Sequence, residues 1–434
     1  MSSLDKIATI VADMQDEPTE TWLAKLGPGL ITGAADDDPS GIATYSQAGA
    51  QFGYGMLWTL FLTFPLMLGI QLISAKIGRV SGHGLATNIR RQYSPALLYG
   101  IVGLLLLANV INIAADVAAM GDAMTLIVGG PTHLYAMAFG LFSLLLQVFI
   151  PYRKYVTILK WLTLGLLAYV ATVFTVHIPW GEVLLRTVWP HLTWTTAAIT
   201  MVVAIFGTTI SPYLFFWQAS QEVEDLQADV QAQALRRKPE QAPRQFRRIK
   251  MDTAIGMGFS NLVAFFIMLT TAVTLGTHGV THIDTSAQAA EALRPIAGNF
   301  AFALFSLGII GTGLLAIPVL AGSAAYAMAG AFQWQNSLEL APRAAKKFYA
   351  IIVAATLLGA VLCFTPLDPI KALYWSAVIN GVISVPIMAI MMAMATRRAV
   401  MGSLVISRRL RWLGWLSTLV MAAAVLAMFA TMAF

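Results

Sequence analysis

Residues 36–41 read Asp36, Asp37, Asp38, Pro39, Ser40 and Gly41, inside a stretch otherwise long and apolar enough to cross a membrane. An ionised Asp at the centre of a bilayer costs about 2.5–3.5 kcal/mol on insertion scales, so three in a row do not face lipid. Pro39 removes a backbone donor and clashes with the preceding turn, and Gly41 relaxes the backbone further. Non-helical backbone at membrane depth is tolerated only where protein buries it or where it lines an aqueous cavity. The stretch predicts a broken transmembrane helix, and its carboxylates predict a cation site built on unwound backbone.

The composition around it agrees. The chain has 434 residues, 58% hydrophobic and 11% charged, with a mean hydropathy of +0.72. A typical soluble domain is about 25% charged, so this is an integral membrane protein whose surroundings are a lipid bilayer. The single cysteine, Cys363, excludes an internal disulfide and a Cys-based metal site. The first residues carry Asp5, Asp13, Asp16, Glu17 and Glu20 with no long apolar core, and do not read as a signal peptide. The net charge of +6 is no nucleic-acid footprint, because the basic residues belong to short loops between spans.

Hydropathy predicts about eleven spans. They lie near 26–50, 54–78, 97–126, 134–151, 155–177, 195–222, 251–275, 298–329, 342–364, 370–396 and 412–433. The basic residues then sort to one side. Lys6, Lys25, Lys76, Arg79, Arg90, Arg91, Arg153, Lys154, the Arg and Lys residues of 236–250, Arg343, Lys346, Lys347, Arg397, Arg398, Arg408, Arg409 and Arg411 flank it. Arg186, Arg294 and Lys371 fall on the other. The positive-inside rule places the N-terminus in the cytoplasm and the C-terminus outside a cell (inner) membrane. The polar insert 223–250, Gln-rich with Pro239 and Pro243, reads as a solvated cytoplasmic loop; a basic regulatory or lipid-contacting segment is the alternative.

The sixth span carries a similar interruption, Gly207, Thr208, Thr209, Ile210, Ser211 and Pro212. Interrupted segments at corresponding positions of two halves point to a midplane site between inverted repeats. The division is then a cytoplasmic segment 1–25, a first repeat 26–177, a second repeat 195–396 and a final span 412–433.

Unwinding frees carbonyls, Ala35 among them, while side chains supply charge. Softer transition ions gain from sulfur or imidazole, but His83, His133, His177, His191, His278 and His282 fall in loops or at span ends, and no Met lies in either break. The donors are carboxylate, hydroxyl and carbonyl, with Asp38 the principal candidate as a direct or water-mediated ligand. Asp36 and Asp37 cannot face the same point; one or two carboxylates of the triplet can instead cap the second half-helix. Thr208 and Thr209 can offer a carbonyl or hydroxyl, or simply satisfy backbone groups freed by the break. In the third span Asn109, Asn112 and Asp116 share a face and form a candidate polar route, or bond helix to helix. Asp116 can also pair with Lys346 or Lys347. Asn380, before Gly381, is a candidate water-mediated ligand or a packing amide.

At these residues the chain resembles the Nramp family of divalent-metal transporters. The match runs through Gly27, Pro28 and Gly29, then Asp38 to Gly41 with Gln47 to Ala50, and on through Gly207 to Pro212 and Asp252. The resemblance covers nearly the whole chain. It implies an all-α, LeuT-like fold with two inverted five-helix repeats and an eleventh helix. The departures matter. Transition-metal members carry Asn where Gly41 stands and Met where Ser211 stands; after the Pro they carry His where this chain has Tyr213 and Gln218. The third-span equivalents include Asn109 and Ala119 beside Asp116. This pattern is similar to the Nramp-related magnesium transporters. Loss of a thioether at Ser211 removes the reward for Mn²⁺ or Fe²⁺ over Mg²⁺, and Gly41 is expected to open volume for waters that stay on the ion.

The resulting expectation is uptake of hydrated Mg²⁺, with Mn²⁺ as a second substrate, by a monomer without a cofactor. Asn does not titrate, so proton coupling is expected to be weak or absent. The membrane potential suffices, since a divalent ion gains about 4.6 kcal/mol per 100 mV, a gradient of roughly two thousand-fold. The alternatives are a proton-coupled Mn²⁺/Fe²⁺ carrier and a Na⁺-coupled organic solute carrier of the same architecture. The chain has no His-Glu pair on a helix and no Gly-x-Ser-x-Gly motif, which argues against an enzyme.

Overall fold

The computed structural model describes residues 28–151, 163–190, 193–228, 232–365 and 368–433, and among them the regular structure is all helical. The expected segment 1–25, Gly27 of the motif, Arg153, Lys154, His191 and the start of the expected fifth span lie outside the described residues. Several helices start where the sequence supplies a polar cap followed by proline, whose missing N–H costs nothing at a first turn. Asp38, Ser94 and Asp368 each accept a backbone N–H of the helix they precede, and Pro39, Pro95 and Pro369 follow them.

The first span is split into α1 (Pro28–Asp36) and α2 (Pro39–Phe52). There follow α3 (Leu57–Ser81), α4 (Pro95–Val128), α5 (Thr132–Phe149) and α6 (Leu167–Val173). The sixth span is split into α7 (Thr196–Thr209) and α8 (Pro212–Ala228). The remainder is α9 (Ala242–Thr274), α10 (Ala301–Phe332), α11 (Lys346–Leu362), α12 (Pro369–Ala395) and α13 (Arg408–Ala433), joined by shorter helices. Eight helical stretches among the described residues are long and apolar enough to cross a membrane. That number falls below the roughly eleven expected spans for simple reasons. The stretch Pro39–Ser81 holds both α2 and α3, α11 is only 17 residues long, and the fifth span is described in part.

Small residues let the broken helices sit close to their neighbours, as membrane interiors favour. A Cβ added at Gly33 of α1 would stand 2.2 Å from the Gly256 carbonyl carbon of α9. At Gly207, beside the second break, it would stand 2.0 Å from the Ala377 oxygen of α12. Large apolar side chains such as Phe61, Leu134, Phe149 and Leu426 point outward, as a lipid-facing surface requires.

Among its described residues the insert 223–250 is helical at both ends, with Arg236, Arg237, Arg244, Arg247 and Lys250 exposed as a solvated segment requires. α8 runs on to Ala228 and α9 already begins at Ala242. Between them Leu235 and Arg236 donate their N–H groups to the Arg79 and Val80 carbonyls at the end of α3, and Leu235 is fully buried. Ion pairs join the helix ends there: Arg248 meets Glu222 at 2.5 Å and Asp225 at 3.5 Å, and Arg79 meets Asp225 at 3.6 Å. These charges end a hydropathy window but hold the helices together beyond it.

Candidate metal site

The three carboxylates of the first break part company, as consecutive residues on unwound backbone must. Asp38 is the N-cap of α2; its Oδ1 accepts from the Gly41 N–H at 2.7 Å. Its Oδ2 accepts from Tyr213 Oη, which reaches across from α8 at 3.3 Å. The same phenol lies 3.2 Å from the Ala35 carbonyl oxygen. Asp36 and Asp37 turn instead toward α9. Ser260 Oγ lies 2.7 Å from Asp36 Oδ2 and 3.0 Å from Asp37 Oδ1, so a single hydroxyl proton serves two carboxylates. All three Asp residues are at most 2% exposed. Among the described residues no three His, Cys, Asp or Glu side chains converge as a metal cluster.

At the second break the hydroxyls mostly serve the backbone. Ser211 Oγ donates toward the Gly207 and Thr208 carbonyls at 2.9 and 2.7 Å. Thr209 Oγ1 donates toward the Ile205 and Phe206 carbonyls at 2.9 and 3.3 Å. Thr209 is thus a backbone-satisfying residue, while Ser211 retains oxygen lone pairs beside the break. Thr208 faces the other break: a Cβ on Gly41 would stand 3.1 Å from its Oγ1 and 3.3 Å from Tyr45 Cε2. Thr208 and the Tyr45 ring take the space in which a side chain would begin, and the contribution of Gly41 is its N–H to Asp38.

The polar residues of α4 bond helix to helix. Asn112 and Asn380 exchange two amide hydrogen bonds, at 2.9 and 3.2 Å. Asn109 donates to the Leu320 carbonyl and to Ser323 Oγ, both at 2.8 Å. Asn380 thus ties α4 to α12 through Asn112, and Asn109 ties α4 to α10, as helix-to-helix amides do. Asp116 is fully buried and neither carboxylate oxygen has a hydrogen-bond partner among the described residues. The expected pairing with Lys346 or Lys347 does not form. Both lysines are exposed at the start of α11, and Lys347 lies over the Trp334 ring, 5.3 Å from its centroid.

Two contributors escaped the reading of the sequence. Ser260, about two turns beyond Asp252 on the same face of α9, holds Asp36 and Asp37; that spacing was the available signal. The sequence places Tyr213 beside the second break, and its bridge to Ala35 and Asp38 comes from the packing of α8. Asp252 caps α1, accepting the Gly29 N–H at 2.6 Å, and Gln218 accepts from Thr32 Oγ1 at 2.6 Å.

The profile of a family described as natural resistance-associated macrophage protein-like (Nramp) matches residues 29–431. A divalent metal cation transporter, MntH, of Klebsiella pneumoniae is 26% identical over 401 residues, covering 91% of this chain and 90% of that protein. The solved structure of a manganese transporter from Eremococcus coleocola, bound to an aromatic bis-isothiourea compound, superposes with a TM-score of 0.69 at 20% identity. It covers 94% of this chain and 87% of its own. The chain's fold is also that of MhsT in complex with L-phenylalanine, with a TM-score of 0.59 at 13% identity over 93% of this chain and 98% of that one.

Proposed function

The chain belongs to the Nramp family, and on that premise we propose that it moves hydrated divalent metal ions, Mg²⁺ foremost and Mn²⁺ second, into the cytoplasm by alternating access. The observation that carries the choice of ion is the donor set around Asp38. Its neighbours are the Ala35 carbonyl, the Tyr213 phenol and the Gly41 amide, with Ser211 and Thr208 at the facing break. Among the described residues, the groups that hydrogen-bond at Asp38 and at the Ala35 carbonyl include no thioether and no imidazole. Mg²⁺ takes oxygen ligands, keeps several waters and is held by one or two carboxylates. Mn²⁺ and Fe²⁺ lose the nitrogen and sulfur donors that raise their affinity over Mg²⁺. The names of the Klebsiella and Eremococcus proteins support a divalent metal as cargo.

The two breaks then lie between inverted repeats, 26–177 and 195–396, of a monomeric carrier in the cell (inner) membrane. Its N-terminus faces the cytoplasm by the excess of Lys and Arg on that side. An inside-negative potential is the driving force. A second reading, proton-coupled Mn²⁺ or Fe²⁺ transport, is favoured by one observation, the bare carboxylate of Asp116 inside the bundle. Proteoliposomes with an internal pH dye separate the two. Mg²⁺ uptake without lumenal acidification supports the first, and acidification that tracks Mn²⁺ supports the second.

A further inference from the structure

We infer that Tyr213 is a specificity-determining residue of this site, its phenolic oxygen replacing one water in the shell of the bound ion. The inference rests on the reading of Asp38 as the metal ligand. Tyr213 follows Pro212 in the first turn of α8 and is fully buried. Its Oη is within hydrogen-bond reach of the two first-break oxygens best placed to hold a cation, Ala35 O at 3.2 Å and Asp38 Oδ2 at 3.3 Å. A carbonyl and a carboxylate only accept, and one phenol carries one proton, so the hydroxyl satisfies one of them at a time. Its lone pairs are left to face a cation.

The spacing suits that use. Neighbouring oxygens of an octahedral Mg²⁺ shell at 2.0–2.1 Å stand about 2.9 Å apart. The gaps around Oη need only a small contraction to become edges of such a shell. The phenol is also a hard oxygen donor, so it favours an ion that does not reward nitrogen or sulfur. Because Tyr213 belongs to α8 and its two partners flank the first break, a cation held by all three oxygens joins the two breaks.

The test compares the parent, Tyr213→Phe and Asp38→Asn as full chains in proteoliposomes, with uptake measured against Mg²⁺ and Mn²⁺ concentration. Tyr213→Phe keeps the ring and removes one oxygen. Loss of a polar partner at a metal site costs roughly 10–100-fold in affinity. The expected result is a KM for Mg²⁺ raised about tenfold or more, a smaller rise for Mn²⁺ and a maximal rate close to the parent's. Tyr213→His is expected to move the preference further toward Mn²⁺. Equal changes for both ions, or a fall in maximal rate alone, overturn the inference and make Tyr213 a packing residue. The Asp38→Asn arm keeps the two claims apart. If that variant transports like the parent, the site itself is misassigned. If it is inactive while Tyr213→Phe keeps the parental Mg²⁺-to-Mn²⁺ ratio, only the role of Tyr213 falls.

Discussion

Asp38 caps the helix that its own break begins: Oδ1 accepts the Gly41 N–H at 2.7 Å, while Oδ2 points away toward Tyr213. One carboxylate thus holds a helix end with one oxygen and turns the other toward the facing break. Removing an N-cap by substitution to Ala costs about 0.5–2 kcal/mol, whereas Asn and Ser cap as well as Asp. Asp38→Ser and Asp38→Asn should therefore melt within a few degrees of the parent in detergent, and Asp38→Ala should melt lower. None of the three should gain stability from added Mg²⁺, whereas the parent should. Thermal unfolding with and without the ion checks this, and Mg²⁺ stabilisation of Asp38→Ser would contradict it.

Gly41→Asn reinstates the amide of the transition-metal carriers but should not restore their chemistry. A side chain there starts 3.1 Å from Thr208 Oγ1 and 3.3 Å from Tyr45 Cε2. Overpacking of this kind costs about 1–3 kcal/mol. The expected outcome is lower thermal stability and slower uptake of every ion, partly rescued by Tyr45→Ala. A stable Gly41→Asn variant with faster Mn²⁺ uptake would show that the space is open.

The charged group Arg79, Glu222, Asp225 and Arg248 should act as a clamp on one end of the bundle. Glu222 has a fully buried side chain, 2.5 Å from Arg248, whose own side chain is 24% exposed. Removing one partner of a buried pair costs about 3–5 kcal/mol, and the partial exposure of Arg248 argues for the low end. Glu222→Ala should lower stability and loosen α8. Cys363 is the chain's single cysteine, so a Cys363→Ser background makes Leu226→Cys the only thiol. Maleimide labelling at that position should be faster when Glu222 is replaced; an unchanged rate would mean that these charges clamp nothing.

Asn112 and Asn380 should contribute to packing and not to ion binding. Paired polar contacts between membrane helices are worth about 0.6 kcal/mol on average and about 1.7 at most. A double-mutant cycle of Asn112→Ala and Asn380→Ala should give a coupling of that size, with the KM for Mg²⁺ unchanged in either single variant. A raised KM in Asn380→Ala at undiminished stability would return Asn380 to the ligand shell.

The two breaks were legible in the sequence because Pro and Gly act on the backbone wherever they fall, and buried carboxylates need a polar reason to be there. The directions of those carboxylates were not. Asp36 and Asp37 follow Ser260, and Asp38 follows Tyr213, residues far away in the chain that only the packing of α8 and α9 brings near. The same holds for Asp116: a nearby span end suggested a lysine, but both candidate lysines are exposed at the start of α11. In the insert the basic residues are largely exposed, yet Arg248 pairs with Glu222 and Asp225 where α8 and α9 run beyond the apolar stretches. At Gly41 the sequence showed a missing side chain, and only the structure shows Thr208 and Tyr45 beside the space.

On the proposed function, Asp38 binds the divalent ion that crosses the membrane, in a shell of oxygens. The most direct test of that role is Mg²⁺ uptake into proteoliposomes under an inside-negative potential, with Mn²⁺ and Ca²⁺ as competitors and Asp38→Asn beside the parent. The parent should take up Mg²⁺ in a way that Mn²⁺ inhibits, and Asp38→Asn should take up none. Equal uptake by the parent and Asp38→Asn would contradict that role.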